Sequence, residues 1–513
     1  MSLRQDLPLP QGQQLQRRVE AKISDRSGRL EDEDLDLDAR TMAILGKRQQ
    51  LSRNFGLVSL VAFSTTLIAS WESIACTFQS GLINGGPAAL IYGLLLSWLG
   101  SLAVCASLAE MASMSPTSGG QYHWVSQLAP KRFAVSFSWV AGWVSIFARL
   151  SVCASAAFVA SQMIQGLIIL NVDGYVPLRW HGTMLYWMVL LIAVLVNILG
   201  IRIFPHIESL AFSSARFVFA DFENAGGWES NGVSWCLGLL TSAWSFVGID
   251  GTTHMSSEEV RDSANVVPRS MVIALVISGA LTMAFSIAIL FGIGDINLVL
   301  ETPTRYPIIQ IFLTATGSKG ATTAIICTLI STLIFSTFGT LACASRLAWA
   351  FARDRGFPFP DYFAYVSKYY RIPVRAIILI TIIACLLGLV NIGSSTAFNA
   401  LTSLALIGHY TSYLLPITLM AIRRFGKKEI PWGPWNLGRW GLAINLGSII
   451  YSTVLIVFML FPPYQPVTVA NMNYASLIFG AAMLACAVLW FVYGRKEFWG
   501  PVREVIEDGD LRR

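Results

Sequence analysis

Charged residues are scarce in this chain: Asp, Glu, Lys and Arg together make up 13% of its 513 residues, whereas 54% are hydrophobic. A soluble domain has about 25% charged residues on average. The net charge of +6 is spread over short segments between apolar runs, so it indicates membrane topology rather than contact with nucleic acid. The composition therefore predicts a polytopic protein in contact with the lipid bilayer, without a soluble catalytic domain.

Several other signatures are missing. The eight cysteines and five histidines are dispersed singly, without the paired spacing of a zinc site or a disulfide framework, so no metal or cofactor is expected. No phosphate-binding G-x-x-x-x-G-K-S/T motif is found, which argues against direct use of ATP. Residues 1–54 are polar and lack the order of a cleaved signal peptide, and we expect a disordered cytoplasmic tail. The sequence thus predicts neither an enzyme nor an ATP-driven pump.

Eleven apolar runs approach the roughly 20 residues that cross a bilayer. Together they predict a transmembrane domain over residues 55–496, followed by a cytoplasmic tail at 497–513. The runs cover residues 56–81, 87–113, 133–170, 182–204, 234–255, 270–294, 320–350, 374–393, 396–422, 440–461 and 474–494.

The distribution of Lys and Arg in short loops predicts that both chain ends are cytoplasmic. Two ends on one side need an even number of crossings, but the chain has eleven candidates. The conflict lies between Arg202 and Arg261, which both mark the cytoplasmic side although only the run at 234–255 separates them. Residues 205–233 contain five charged residues and no long apolar run, so one crossing is predicted to be missing there.

The apolar run from Trp235 to His254 is interrupted near its middle by Gly248, Asp250 and Gly251. In hydrocarbon, a helix unwinds only where protein or a polar cavity satisfies its freed N–H and C=O groups. Glycine tolerates the non-helical dihedrals of such a break, and broken helices at the membrane midplane hold solutes and ions in transporters. We therefore predict a binding site at this interruption.

Four stretches, in the same order along the chain, give it a family likeness. EMASMSPTSGGQY at 110–122 resembles the signature that follows the second helix of permeases in the amino acid, polyamine and organocation transporter superfamily. The stretches at 245–271, 307–320 and 345–363 resemble the fungal branch that carries choline, 4-aminobutyrate and related amines. The resemblance covers roughly residues 50–500.

This resemblance implies an all-α fold of twelve helices, of which the first ten form two inverted repeats of the leucine-transporter type. Substrate would lie between the broken first and sixth family helices, here the runs at 56–81 and 234–255. The family's fifth helix has no counterpart, and the gap falls near residues 211–213. A gene-model or splicing artefact, a shortened variant without transport, and a functional protein that compensates are the explanations we consider.

The resemblance also implies which residues line the site. They are Ser70, Trp71, Glu72 and Ser73 in the first run, and Trp244, Phe246, Gly248, Ile249, Asp250 and Gly251 in the second. Glu72 and Asp250 would attract an ammonium group, and free N–H groups of the half-helices would take a carboxylate. An aromatic face stabilises a cation, and Trp244 is the predicted gate.

Each of these assignments has a structural alternative. Arg149 lies inside the third apolar run, so Arg149 and Glu72 would neutralise one another if they were in contact. Asp250 would serve only as a cap if it accepted hydrogen bonds from amides freed by the break. The charged segment at 256–270 and the inner end of the 320–350 run would form either a salt-bridged inner gate or a solvated loop.

These observations predict a secondary transporter for amine-bearing solutes such as amino acids, 4-aminobutyrate or choline. An ion gradient would drive it, with protons as the expected coupling ion and Glu72 and Asp250 as candidate proton carriers. We expect the plasma membrane, or else the vacuolar membrane, as its location. A nutrient sensor on the same fold and a transport-dead isoform are the alternatives.

Overall fold

The computed structural model describes residues 56–199, 219, 221–222, 224–255, 259–367, 371–393, 395–426, 429–463, 465–468 and 472–501. The predicted tail at 1–54 lies outside these residues, as does most of the tail at 497–513. Within the described part the chain is helical, as the sequence predicts, and strand pairing is limited to one isolated bridge between Asn84 and Asn224.

The described helices are numbered here in chain order. They are α1 (Leu57–Ile68), α2 (Ser70–Ile83), α3 (Gly86–Met114), α4 (Gln121–Leu128), α5 (Ala134–Asn171), α6 (Arg179–Leu199), α7 (Asn231–Trp244), α8 (Ser263–Gly292), α9 (Ile296–Leu300), α10 (Pro307–Thr316), α11 (Lys319–Arg353), α12 (Pro360–Phe363), α13 (Val374–Gly393), α14 (Ser395–Phe425), α15 (Gly441–Phe458) and α16 (Ala475–Leu489). A 3-10 turn spans Gly251–Met255, and a π turn at Trp490–Gly494 extends α16 toward Arg495–Glu497.

Ten segments of the described chain are long and apolar enough to cross a membrane, with α1 and α2 counted together. They coincide with ten of the eleven predicted runs. The eleventh, at 234–255, contains only the 14-residue helix α7, which ends at Trp244. The chain then passes through turns to the 3-10 segment, because Gly248 adopts a φ of +95° that a helix does not contain. The interruption predicted from Gly248 and Gly251 is therefore present.

The bundle has two ends, which we name by their residues. The inner end carries Leu57, where α1 begins, and α4; the outer end carries Asn84, where α2 ends. Helix α6 runs from the outer end to Leu199 at the inner end. Asp221 lies at the outer end, where its carbonyl accepts a hydrogen bond from Ala88 N at 3.1 Å. Leu199 and Asp221 therefore lie at opposite ends of the bundle. The predicted gap at 211–213 lies outside the described residues.

Two groups of helices form the packed core. Helix α5 packs against α4, α6, α11 and α14, and α3 packs against α7, α8 and α15. Close approach within the first group depends on glycine: a Cβ at Gly408 would lie 2.9 Å from Ala148 Cβ, and one at Gly142 would lie 2.4 Å from the Phe351 ring. Helices α1 and α2 contact α8 of one group and α11 of the other, so the first broken helix lies where the two groups meet.

Candidate functional site

The first break is a single residue between α1 and α2. Ala69 has φ +46° and ψ +51°, the left-handed region that an alanine rarely adopts, and the helix resumes at Ser70. Ser336 of α11 donates a hydrogen bond through Oγ to the Leu67 carbonyl at 3.1 Å, which satisfies one of the carbonyls at the end of α1. The break predicted in the first run, beside Ser70 to Ser73, is therefore held against α11.

The second break follows α7. Among the described residues, the backbone N–H groups of Gly248, Ile249 and Asp250 donate no hydrogen bond to a backbone carbonyl or to a side chain. Gly251 lies against α1, because a Cβ at this position would come within 2.6 Å of Leu67 Cδ2. The two breaks are thus adjacent, and Gly251 permits that contact.

Asp250 is the centre of a buried polar network. Its Oδ1 accepts hydrogen bonds from Arg149 Nη2 of α5 and from the Tyr413 hydroxyl of α14. Its Oδ2 accepts from Gln121 Nε2 at 2.7 Å and lies 3.2 Å from His254 Nε2. The cation that neutralises Asp250 is therefore Arg149.

Two alternatives weighed from the sequence are wrong. Arg149 pairs with Asp250 and not with Glu72, because the break turns Asp250 toward α5. Asp250 is not an amide cap either: each hydrogen bond that its carboxylate makes among the described residues involves a side chain. The expectation that Asp250 attracts an ammonium group also loses its basis, since a guanidinium already compensates its charge.

Glu72 stands apart from this network. Its side chain is 6% exposed, its Oε2 accepts no hydrogen bond, and no cationic side chain of the described chain forms an ion pair with it. It borders a cavity of ≈ 180 Å³, the side cavity, between α1, α2, α8 and α11. The buried hydroxyls of Ser70 and Ser278 also line this cavity and make no hydrogen bond in the described structure. The side cavity therefore presents one uncompensated carboxylate and unpaired hydroxyl groups.

A second space, the central cavity, lies at the junction of the broken helices. Its volume is ≈ 40 Å³, and its walls include Ala69 and Ser73 of the first break, Trp244 and Val247 of the second, and Val152 of α5. Such a volume holds water but not an amino acid, since about 10–15 Å³ of this measure accommodates one water molecule. The central cavity is thus contracted in this conformation, with Trp244 in its wall.

The sequence-predicted residues therefore divide into groups. Ser70, Trp71 and Glu72 line the side cavity, whereas Ser73 and Trp244 line the central cavity. Phe246 and Ile249 are each 1% exposed within the hydrophobic core, which is a packing position. Gly248, Asp250 and Gly251 form the second break itself.

Sequence reasoning missed three partners of Asp250. Gln121 lies within the quoted EMASMSPTSGGQY motif, and His254 follows Asp250 by four residues, so both carried a local signal. Tyr413 is remote in sequence and carried none.

The charged segments at the inner end meet as an ion pair. Arg346 Nε of α11 donates to Glu259 Oε1 at 3.0 Å, and both side chains are buried. This contact joins the segment at 256–270 to the inner end of the 320–350 run, the two regions proposed as an inner gate. The pair forms in the structure, and its role as a gate stays a prediction.

Known proteins are similar to this chain in sequence over most of its length. The amino acid permease family matches residues 55–222 and 212–484. The choline transporter of Saccharomyces cerevisiae is 29% identical over 90% of this chain and 85% of its own length. An amino-acid permease BAT1 homolog of Oryza sativa is 31% identical over 89% of this chain and 94% of its own, and a putative amino acid/polyamine transporter of Macrophomina phaseolina is 31% identical over 81% and 97%. Two broken helices of this chain meet at a buried polar site. The match over most of its length shows that the chain belongs to the amino acid permease family.

Proposed function

We propose that this chain is a secondary transporter that moves amino acids or related amines, such as 4-aminobutyrate or choline, by alternating access. The observation that carries the proposal is the uncompensated carboxylate of Glu72 beside the first break. A buried charge without a partner is costly in a membrane protein, and such groups mark sites for substrates or ions. A cation supplied by the solute would remove that cost.

The ammonium group of the solute docks at Glu72, with the Trp71 ring beside it. Both side chains line the side cavity, and Trp71 is itself held edge-on by Phe285 of α8, with ring centroids 5.1 Å apart. A cation over an aromatic face gains ~0.5 to 2 kcal/mol, so the two groups together favour a protonated or quaternary amine. The choline transporter among the relatives agrees with such chemistry.

The small central cavity supports alternating access, because a solute could enter it only after the cavity widens. It shares its α2 wall with the side cavity, since Ser73 faces one and Ser70 the other. Rocking of the two helix groups about the broken helices would widen the central cavity, with Trp244 as the gate and the Arg346–Glu259 pair closing the inner end.

An ion gradient drives the transport, and we propose the proton as the coupling ion. A proton that crosses ~100 mV releases ~2.3 kcal/mol, before any pH difference is counted. Because Arg149 already compensates Asp250, Glu72 is the better placed of the two predicted carriers. Uptake should therefore fall when a protonophore is added. Solute exchange that does not respond to the proton gradient would contradict proton coupling but would not contradict the proposed solute site.

Uptake of radiolabelled 4-aminobutyrate, choline and amino acids into permease-deficient cells tests the proposal. The wild-type chain should accumulate at least one of these solutes, and Glu72→Gln should abolish that uptake. Glu301→Gln is the matched control, because Glu301 is exposed beyond α9. Binding without uptake would identify a sensor instead, and equal uptake by the Glu72→Gln variant would overturn the role of Glu72. A fluorescent fusion in the same cells tests the proposed plasma-membrane location.

A further inference from the structure

His254 lies in the 3-10 turn that follows the second break, and its side chain is buried. Its Nδ1 lies 3.1 Å from the Ser118 carbonyl oxygen, and its Nε2 lies 3.2 Å from Asp250 Oδ2. Gly120 leaves room for the ring, because a Cβ at this position would lie 3.2 Å from His254 Cε1. The imidazole therefore joins the second break to the segment before α4, which belongs to the EMASMSPTSGGQY motif.

Both partners of this ring are hydrogen-bond acceptors. A carbonyl oxygen has no proton to donate, and the Asp250 carboxylate already accepts from Arg149, Tyr413 and Gln121, of which the guanidinium favours its ionised form. A neutral imidazole has one N–H group and one lone pair, so either tautomer would place that lone pair against an oxygen. The imidazolium donates to both oxygens. The observed contacts therefore fit the charged form of His254.

His409 of α14 is also buried but has a different arrangement. Its Nδ1 lies 2.8 Å from the Ala405 carbonyl oxygen, whereas its Nε2 has no hydrogen-bond partner in the described structure. A second proton on this ring would gain no acceptor, so the contacts of His409 fit the neutral form. Of these two histidines, His254 is the one built to hold an extra proton.

The surroundings of His254 contain charges of both signs. The charged and titratable groups of the polar network and of neighbouring elements are Asp250, Arg149 on α5, His409 and Tyr413 on α14, Cys343 on α11, His123 on α4 and Cys105 on α3. Arg346 of α11 pairs with Glu259, Tyr122 of α4 donates to Asp354, Arg269 of α8 is exposed, and α1 carries no charged residue. Asp250 contacts the ring directly and favours its charged form, while the Arg149 guanidinium lies on the other carboxylate oxygen.

We propose that His254 is a proton-binding site whose charged form locks the second break against the segment at 118–121 and keeps the central cavity small. The cavity of ≈ 40 Å³ belongs to the conformation in which both contacts of the imidazolium are formed. A group that binds a proton more tightly in one conformation favours that conformation as the pH falls. Acidification therefore favours the small cavity, and loss of the proton sets a lone pair against an oxygen and releases the lock. The inference rests on the proposed function, in which the solute enters this cavity once it widens, and the transport cycle runs with neutral His254.

Thiol labelling of the purified full-length chain measures the lock without depending on uptake. Cys76 lines the central cavity and Cys327 is exposed on α11, so the two thiols report on the cavity and on the surface of the same molecule. The probe is methyl methanethiosulfonate, and peptide mass spectrometry follows each cysteine separately. Dividing the wild-type labelling rate of Cys76 by its rate in His254→Gln removes the pH dependence of the thiol itself. From about pH 8 to about pH 5, where imidazole changes charge, this ratio should fall about tenfold, the order expected for a hydrogen bond to a charged group.

Controls and further outcomes separate the lock from other causes. The same ratio for Cys327 should not change with pH, and His254→Asn, a second neutral variant, should behave as His254→Gln does. His181→Gln is the matched control, because His181 lies at the outer end beside the Tyr175 hydroxyl, and its Cys76 labelling should follow the wild type. A Cys76 ratio that stays constant or rises as the pH falls, or an equal fall at Cys327, would overturn the lock. A pH-dependent ratio in a chain without uptake would refute the transport function and leave the lock standing.

Discussion

At the scale of single residues, the two acids in the broken helices have opposite environments. Both Glu72 and Asp250 were predictable as functional candidates, because carboxylates in apolar spans are rare and need a reason. Their partners were not predictable, because a helix break reorients the following side chains in a way that spacing does not encode. Asp250 contacts Arg149 and Tyr413 from two other helices, whereas Glu72 faces a cavity.

Gly248 gives the sharpest test of the second break. Gly248→Ala should reduce uptake about tenfold or more, since a side chain at φ +95° costs roughly 1–3 kcal/mol and each ~1.4 kcal/mol is a factor of ten. The added Cβ would also lie 3.1 Å from Leu67 Cδ2. Uptake normalised to surface expression measures the effect. Gly447→Ala is the control, because this glycine lies in α15 with no atom within 4 Å of its Cβ position; equal losses in both variants would contradict the prediction.

The Arg346–Glu259 pair yields a prediction about stability. Arg346→Gln should lower the melting temperature of the purified protein, because breaking a buried ion pair costs ~3–5 kcal/mol. The double variant Arg346→Gln with Glu259→Gln should recover part of the loss, since neither charge then remains. A double variant that melts below the single one would show that the charge pair is not the cause.

At the scale of elements, hydropathy located the helices but not their interruptions. The long runs agree with ten helical segments because about 20 apolar residues in a row have few other stable arrangements in a bilayer. The resemblance placed the first break at about Ala69 to Ser73, and the structure puts it at Ala69; the local sequence gives no such signal, since alanine favours helices and here adopts a left-handed conformation.

The chain that follows α16 packs into an aromatic cluster at the inner end, formed by Trp139, Phe351 and Phe498. Phe498 is 1% exposed, and its ring centroid lies 5.3 Å from that of Trp139 and 5.5 Å from that of Phe351. Phe498→Ala should lower thermal stability, because Phe-to-Ala changes in a core cost ~3–5 kcal/mol. The neighbouring Trp499 is 75% exposed, so Trp499→Ala should have little effect. Similar melting temperatures for the two variants would place Phe498 outside the core.

At the scale of the whole molecule, Leu57 and the end of α16 lie at the same end of the bundle. Gly494 packs against Trp139 near the start of α5, and α4, which precedes α5, marks the inner end. Epitope tags at the two chain ends should therefore be accessible from one side, and from the distribution of positive charges we expect that side to be the cytoplasm. Antibody labelling after selective permeabilisation of the plasma membrane measures this. Labelling of one tag in intact cells would contradict the shared side.

The missing crossing is also a question about the whole molecule. The sequence indicates a gap between Arg202 and Arg261, and the described helices place Leu199 and Asp221 at opposite ends. Sequencing the transcript across codons 205–225 should reveal additional codons for an apolar segment if the gap is an artefact of the gene model. If the transcript is identical to the present sequence, the gap is real. The protein is then either a shortened variant without transport or a functional protein that compensates for the missing helix.

Glu72 has a final consequence, for the electrical behaviour of the carrier. With Asp250 compensated by Arg149 and Glu72 ionised, the empty binding region bears one net negative charge, which a docked cation such as choline cancels and a zwitterionic amino acid does not. If this charge moves with the binding region, an inside-negative voltage assists the return of the empty carrier to its outward-facing form. The cation-loaded region has no net charge, so the voltage does not affect its movement. Each ~100 mV would then bias that return by up to ~2.3 kcal/mol, so hyperpolarisation should speed turnover at saturating choline.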